Sequence, residues 1–238
     1  VLIVKALILA GGSGTRGRPY TEYIPKAMIP VDDRPLVDYV IGHIRKFDTI
    51  DEIIIVSNFE GIGRQMKNYL QNSGVTLIQD SQSGTGGDLL HAAERLDKTG
   101  EFLLWFADNL CALNIDAMLS HYKRKKSMAC VATRTRRKEE TGFATVRDGM
   151  VGHFTEKPEI TLPMAECLGI YILSTKLLEI IRSMEKSVNL SYDVLQDLAQ
   201  RKSVSAYDIG GVEWIDVESP AVLERNRSRV YKIIRQMA

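Results

Sequence analysis

The chain has 238 residues, 45% hydrophobic and 26% charged, with 31 Lys and Arg against 30 Asp and Glu for a formal charge of +1. That length supports one sizeable core without a forced division, so a single domain over residues 1–238 is expected. The balance of charge excludes the broad cationic footprint of a general nucleic-acid binder. Cys111, Cys130 and Cys167 lack C-x-x-C spacing, which points to neither a disulfide framework nor a zinc site and fits a reducing cytosol.

The first segment, VLIVKALILAGG, imitates a signal peptide by placing an apolar run before small residues. The run is too short to span a bilayer and leads directly into a glycine-rich loop, so the expectation is a buried strand, Lys5 to Ala10, in a cytoplasmic protein. Gly12, Gly14 and Gly17 then spell the dinucleotide pattern G-x-G-x-x-G. That pattern needs a helix opening at the glycines to receive a pyrophosphate. Pro19, Pro25 and Pro30 lack amide donors and push the residues before them out of the helical region, so Arg18 to Pro30 should be extended and irregular. A Walker loop fails as well, since Arg18 and Pro19 stand where Lys and Ser or Thr are needed. What remains is a glycine loop whose amides can cradle phosphate, with Arg16 inside it and Lys26 across a proline-stiffened arm.

Strand-like and helix-like patterns then alternate. Helices are expected at Pro35–Phe47, Gly61–Asn72, Gly86–Leu96 and Ile115–Lys125, and strands at Glu52–Ser57, Val75–Gln79 and Glu101–Ala107. Beyond Ser127 come a strand at Met128–Thr133, a hairpin over Phe143–Thr155 turning at Asp148-Gly149, and a strand at Glu166–Leu173. Helices at Leu177–Glu185 and Tyr192–Gln200, a strand at Val204–Ile209 and a terminal helix at Pro220–Gln236 complete the pattern. This order implies an α/β fold, a Rossmann-like three-layer α/β/α arrangement with a mostly parallel mixed sheet and an inserted hairpin region. The basic runs Lys123–Lys126 and Arg134–Lys138 are expected to be a solvated helix end and a solvated loop. His43, His91, His121 and His153 are scattered without metal-binding spacing.

Ligands in open α/β sheets sit beyond the carboxyl ends of the strands. Gly11 to Arg16, Gln79 and Asp108 fall there. With those residues in view, the chain resembles the sugar-1-phosphate nucleotidylyltransferases essentially from end to end. LAGGSGTRGRPYTEYIPKAMIPV is similar to the family's glycine loop with its Arg and later Pro-Lys. FADN resembles the metal-binding Gly-Asp-Asn, TEKP the Glu-Lys-Pro, LGIYIL the sugar-contacting strand, and WIDVESP the Trp-x-Asp-x-x-Thr-Pro segment.

The resemblance implies transfer of a nucleotidyl group from a nucleoside triphosphate to a sugar 1-phosphate, with release of pyrophosphate. It implies that Gly11, Gly12, Gly14, Thr15, Gly84 and Thr85 hold the nucleotide, that Arg16 and Lys26 grip its phosphates, and that Lys157 receives the sugar phosphate. Glu156 and the backbone of Gly142 and Gly169 would meet the sugar, which the hairpin region would serve, and Asp108 and Asp216 would hold Mg2+. No nucleic-acid or membrane partner is implied, and self-association is left open. Gly17 stands where Leu is usual, Cys167 where Asn is, Ala107 where Gly precedes the Asp, and Glu218-Ser219 where Gly-Thr precedes the Pro.

The chemistry suits such residues. A phosphate monoester is largely ionised near neutral pH, so neither a nucleophilic side chain nor a general base is required. The obstacle is the meeting of two polyanions, which cations and positioned donors overcome. For the base, the Gln79 amide suits the mixed donor and acceptor edge of uracil or thymine, whereas Asp88 could accept from guanine's two donors or serve only as a favourable charge at a helix start. Two alternatives are a non-catalytic regulatory subunit that binds nucleotide sugar and a cytidylyltransferase acting on a non-sugar phosphate.

Overall fold

The structure is a computed structural model and describes residues 3–12, 14–96, 100–184 and 187–238. Its elements in chain order begin with β1 (Val4–Leu9), the small ladder β2 (Pro30–Val31) and β3 (Arg34–Pro35), α1 (Leu36–Ile44), β4 (Ile50–Ser57), α2 (Arg64–Leu70) and β5 (Thr76–Gln79). They continue through α3 (Gly84–His91), α4 (Ala93–Leu96), β6 (Glu101–Phe106), β7 (Asn109–Cys111), α5 (Ile115–Lys125) and β8 (Ala129–Lys138). The remainder comprises β9 (Phe143–Arg147), β10 (Met150–Thr155), β11 (Glu159–Ser174), α6 (Lys176–Arg182), α7 (Gln196–Gln200), β12 (Val204–Asp208), β13 (Trp214–Asp216), α8 (Pro220–Arg225) and α9 (Arg227–Met237).

Seven strands form the main sheet in the order β12-β8-β11-β6-β1-β4-β5, and only β11 runs against its neighbours. The expected mostly parallel mixed sheet is therefore present. Alternation along β1 divides the interior between its two faces. Ala6 and Ile8 pack with α1, α2, α5 and α9, while Leu7 and Leu9 pack with α3, α4, α6 and α7. Burial on both faces explains why β1, β4 and β6 read as continuous apolar runs.

Between Gly14 and Pro30 the chain makes three short 3-10 turns, at Thr15–Gly17, Tyr20–Glu22 and Lys26–Met28. No α-helix opens at the glycines, as the prolines require, but the segment is tightly turned where an extended course was expected. The helix expected at Gly61–Asn72 begins as a 3-10 turn at Gly61–Gly63, and that expected at Tyr192–Gln200 begins as a π-helical turn, Leu190–Leu195, capped by Asn189 Oδ1. The terminal helix is broken at Asn226. Glu185, the expected end of another helix, lies outside the described residues.

The run Arg134–Lys138 is not a solvated loop. It continues β8, pairing with β11 so that Arg134 faces Glu166 and Lys138 faces Glu159. Arg134 is buried and donates through Nε to Glu166 Oε2 at 2.7 Å. Cross-strand charge pairing stabilises a strand that composition alone assigns to solvent. Past the sheet, β8 and β11 lead to the hairpin β9–β10, whose turn places Asp148 at φ 49° and Gly149 at φ 76°. Two positive φ values are what a type I′ hairpin turn demands.

Where β11 enters the sheet its pairing with β8 is interrupted between Cys167 and Tyr171, and Gly169 there has φ 68°. A Cβ on Gly169 would stand 2.8 Å from Asn109 Nδ2. Gly169→Ala should thus combine left-handed strain with a close contact and lower stability by about 1–3 kcal/mol, measured by urea unfolding. Wild-type stability in that variant would mean that the backbone here relaxes freely.

Candidate active site

A cavity of about 280 Å3 opens at the carboxyl ends of β1 and β6. Neighbouring parallel strands end there, and the chain leaves each in a loop, so backbone and side chains of two segments converge. From β1 come Leu9, Ala10, Gly11, Gly12, Gly14, Thr15 and Arg16; from β6 come Phe106, Ala107 and Asp108. Lys26, Thr85, Asp88 and Glu218 also stand in the wall.

The glycine loop is fixed by local contacts. Ala10 N donates to Val56 O at 2.8 Å, and Thr21 Oγ1 donates to Gly14 O at 2.7 Å. Gly14 has φ 61°, and a Cβ there would lie 2.9 Å from Thr21. A side chain on Gly12 would meet nothing within 4 Å, so its openness serves the cavity and not packing.

Lys26 Nζ lies 2.5 Å from Asp108 Oδ2 and 4.0 Å from Asp216 Oδ1. The two aspartates meet because β7 and β13 form an antiparallel ladder in which Asp216 faces Asn109. Val217 N donates to Asp108 O at 2.8 Å and extends the register. Burial, and then the charge of Asp108, push the Asp216 carboxyl up to about 6, against the opposing pull of Lys26. Asp216 Oδ1 is buried without a hydrogen-bond partner. It sits at the long end of the Lys26 ion pair, so the site has unspent capacity for a cation.

At the start of α3, Gly84 has φ 81°, and a Cβ there would lie 2.7 Å from Val188 O. Thr85 Oγ1 accepts from Leu190 N at 2.8 Å, leaving its hydroxyl proton for another acceptor. Asp88 Oδ1 accepts from both the N and the Oγ of Ser81, each at 2.8 Å, so Asp88 closes the loop ahead of α3 while lining the cavity.

Residues 5–228 match the Nucleotidyl transferase family. The chain belongs to that family. Among its relatives, the mannose-1-phosphate guanylyltransferase catalytic subunit beta of Danio rerio is 26% identical over 99% of this chain and 67% of its own length. The UTP–glucose-1-phosphate uridylyltransferase of a Synechocystis strain is 28% identical over 90% of this chain and 60% of its own. The chain thus spans about two thirds or less of the length of these curated relatives. Among solved structures, a UDP-glucose pyrophosphorylase complexed with UDP-glucose superimposes with a TM-score of 0.67 at 23% identity, covering 97% of this chain and 99% of that one. An inositol-1-phosphate CTP transferase from T. maritima gives 0.70 at 18% identity, over 100% and 97%. Both structural likenesses bear on the fold.

In this member of the family, Gly11, Gly12, Gly14, Thr15, Arg16, Lys26, Thr85 and Asp108 gather at one cavity. Asp216 joins them through Lys26. Gln79 is not in the cavity wall. It is exposed at the end of β5, where its Oε1 accepts from Phe59 N at 3.0 Å and its Nε2 donates to Asp80 Oδ1 at 3.1 Å. Gly142, Glu156 and Lys157 belong to the hairpin arm and also stand outside the wall. There a Cβ on Gly142 would lie 2.8 Å from Glu156 Oε2, and Lys157 has φ 46°. Gly169 links the two regions, lying beside Phe106 and Asn109. Among the described residues no cluster of three or more metal-ligating side chains occurs, and no helix is long and apolar enough to cross a membrane.

Asn109 escaped the sequence reading. Its Nδ2 donates to Asp108 Oδ1 at 2.8 Å, and its Oδ1 accepts from Trp214 Nε1 at 2.9 Å. It therefore couples the two strands that carry the aspartates. Its only sequence signal was its place after Asp108 in FADN. Asn109→Ala should cost about 1–3 kcal/mol, since it strips a partner from each of two buried or half-buried groups. Chemical denaturation would read the loss.

Proposed function

We propose that the protein transfers a nucleotidyl group from a nucleoside triphosphate to a sugar 1-phosphate, releasing pyrophosphate. The observation that carries this reading is the convergence of Arg16, Lys26 and Asp108 on one glycine-lined cavity, with Asp216 brought beside Asp108 through Lys26. Relatives named for mannose-1-phosphate guanylyl and glucose-1-phosphate uridylyl transfer support it.

In this reading the loop amides and Thr85 hold the triphosphate, while Arg16 and Lys26 receive its phosphate oxygens. Backbone donors and cations in fixed positions stabilise charge without reorganising during the reaction. Asp108 and Asp216 would hold Mg2+, which when bound neutralises charge on the α-phosphate. The residues fit such an ion. Asp216 Oδ1 is a buried acceptor without a hydrogen bond, an ammonium already spans the two carboxylates, and a pair of acids leaves room for phosphate oxygens and water. Lys157 on the arm receives the incoming sugar phosphate, and Glu156 the sugar hydroxyls. The attacking oxygen needs no base, because the sugar phosphate arrives ionised. Rate enhancement then comes from alignment of two anions.

Asp108→Asn and Asp216→Asn keep shape and remove charge. Each should lower kcat by at least about 10²-fold in a magnesium assay of pyrophosphate release. Near wild-type turnover of both variants, or full wild-type activity in excess EDTA, would overturn the metal reading. Lys157→Ala should raise KM for the sugar 1-phosphate far more than KM for the triphosphate. Equal changes in the two constants would remove Lys157 from this role.

We further propose UTP or dTTP as the preferred triphosphate, read by Gln79, whose amide would exchange its partners Phe59 N and Asp80 Oδ1 for the donor and acceptor edge of the base. A panel crossing UTP, dTTP, GTP and CTP with several sugar 1-phosphates and a polyol phosphate would decide. A GTP preference lost on Asp88→Asn would transfer the base to Asp88, and turnover of CTP with the polyol phosphate alone would make the protein a cytidylyltransferase.

A further inference from the structure

The cavity that takes the triphosphate in this reading is walled by an acid as well as by bases. Glu218 stands in its lining, and Glu218 Oε1 accepts from Arg16 Nη1 at 2.5 Å. The glycine loop is shaped to allow this contact. Gly17 is buried, and a Cβ on it would stand 2.6 Å from Thr21 Cγ2 and 3.7 Å from Glu218 O. The absence of a side chain at Gly17 lets the loop settle on Thr21 and on the backbone of Glu218, which delivers Arg16 to the carboxylate. Gly17 and Glu218 are two of the positions at which this chain leaves its motifs, and they meet in space.

The two ion pairs of the cavity differ in kind. Lys26 and Asp108 are 17% and 26% exposed, whereas Arg16 and Glu218 are 72% and 42% exposed. An exposed pair is screened by water and salt and opens at little cost. A phosphate chain carries more charge than a carboxylate and meets the same guanidinium fork with two oxygens. The carboxylate is thus a competitor that the phosphate can displace. A second cavity, of about 260 Å3, also has Glu218 in its wall and is lined by Arg134, Asn226 and Arg229 as well as by the carboxylates of Glu166 and Asp216. Arg134 and Arg229 are already paired there with Glu166 and Glu213, so a released Glu218 turns toward Asn226 and solvent and need not remain against the phosphates.

We propose that Glu218 is a releasable latch on Arg16, holding in the free protein the guanidinium that a triphosphate takes on binding, and thereby setting triphosphate affinity. This rests on the nucleotidyl-transfer reading of the cavity. Glu218 is a positioning residue in this scheme, since it acts on the substrate through Arg16.

The test is equilibrium binding of the α,β-methylene analogues of UTP, dTTP, GTP and CTP, with magnesium, to wild type, Glu218→Gln, Glu218→Asp, Arg16→Ala and the double variant Arg16→Ala/Glu218→Gln. Thermal melts of the free proteins establish that each is folded. Glu218→Gln should bind the preferred analogue about 3- to 5-fold more tightly, on the scale of an exposed ion pair. Glu218→Asp should stay close to wild type. In the Arg16→Ala background the Gln substitution should change affinity by less than about twofold, because no guanidinium is left to release. In turnover, Glu218→Gln should lower KM for the triphosphate and leave KM for the sugar 1-phosphate in place. Unchanged or weaker analogue binding by Glu218→Gln would overturn the latch, and so would equal tightening with and without Arg16, which would make Glu218 a simple repulsive charge. If wild type bound none of the four analogues, the nucleotide reading of the cavity would fail and the latch with it.

Discussion

The candidate site depends on a ladder of three residue pairs. Asn109–Cys111 and Trp214–Asp216, distant in sequence, are zipped antiparallel beside the end of β6. Trp214 Nε1 ties the two strands through Asn109 Oδ1 and also reaches Leu168 O at 3.2 Å on β11. Without this small ladder Asp108 would end a strand as an ordinary turn residue, and Asp216 would belong to a distant loop. With it, two carboxylates share one ammonium in partly buried surroundings, where charge is costly to leave unmatched. Backbone hydrogen bonding thus creates an electrostatic problem that a bound cation can solve.

The same logic governs the cationic side of the cavity. Arg16 and Lys26 are each held by a carboxylate in the unliganded chain. Binding a polyanion is therefore an exchange of partners and not the filling of an empty positive field. Exchange keeps the free cavity near neutrality, which spares the fold the repulsion that clustered cations would impose.

Much of this architecture could be read from sequence because strong local rules produced it. The prolines after Gly17 forbade a helix at the glycines, and none forms. Asp148-Gly149 named its own turn. Buried apolar runs marked β1, β4 and β6, and the separate motifs brought Arg16, Lys26 and Asp108 to one cavity. What escaped is non-local. Three-residue strands such as β7 and β13 are too short to show periodicity, so Asn109 and Trp214 could not be paired in advance. Arg134 looked like a solvated charge because its partner, Glu166, is assigned only by strand register. Glu218 appeared as a departure from a motif, and its contact with Arg16 required the folded loop. Gln79 remains unplaced toward a base because its exposed amide has found protein partners.

The hairpin arm has a different thermodynamic standing from the sheet that bears it. Every residue of β9 and β10 is exposed, and the two strands form a sheet of their own, joined to the core through the extensions of β8 and β11. A two-stranded hairpin is marginally stable in water. Phe143, Val146, Met150, Val151 and Phe154 nonetheless hold large apolar surfaces in solvent there. With so little buried, the arm is expected to open locally at low free energy, its backbone amides exchanging with solvent ahead of global unfolding. Ordering entropy that the sheet spends during folding is, for the arm, deferred until something covers it, so recognition at this end of the molecule carries an intrinsic affinity penalty that the rigid cavity does not.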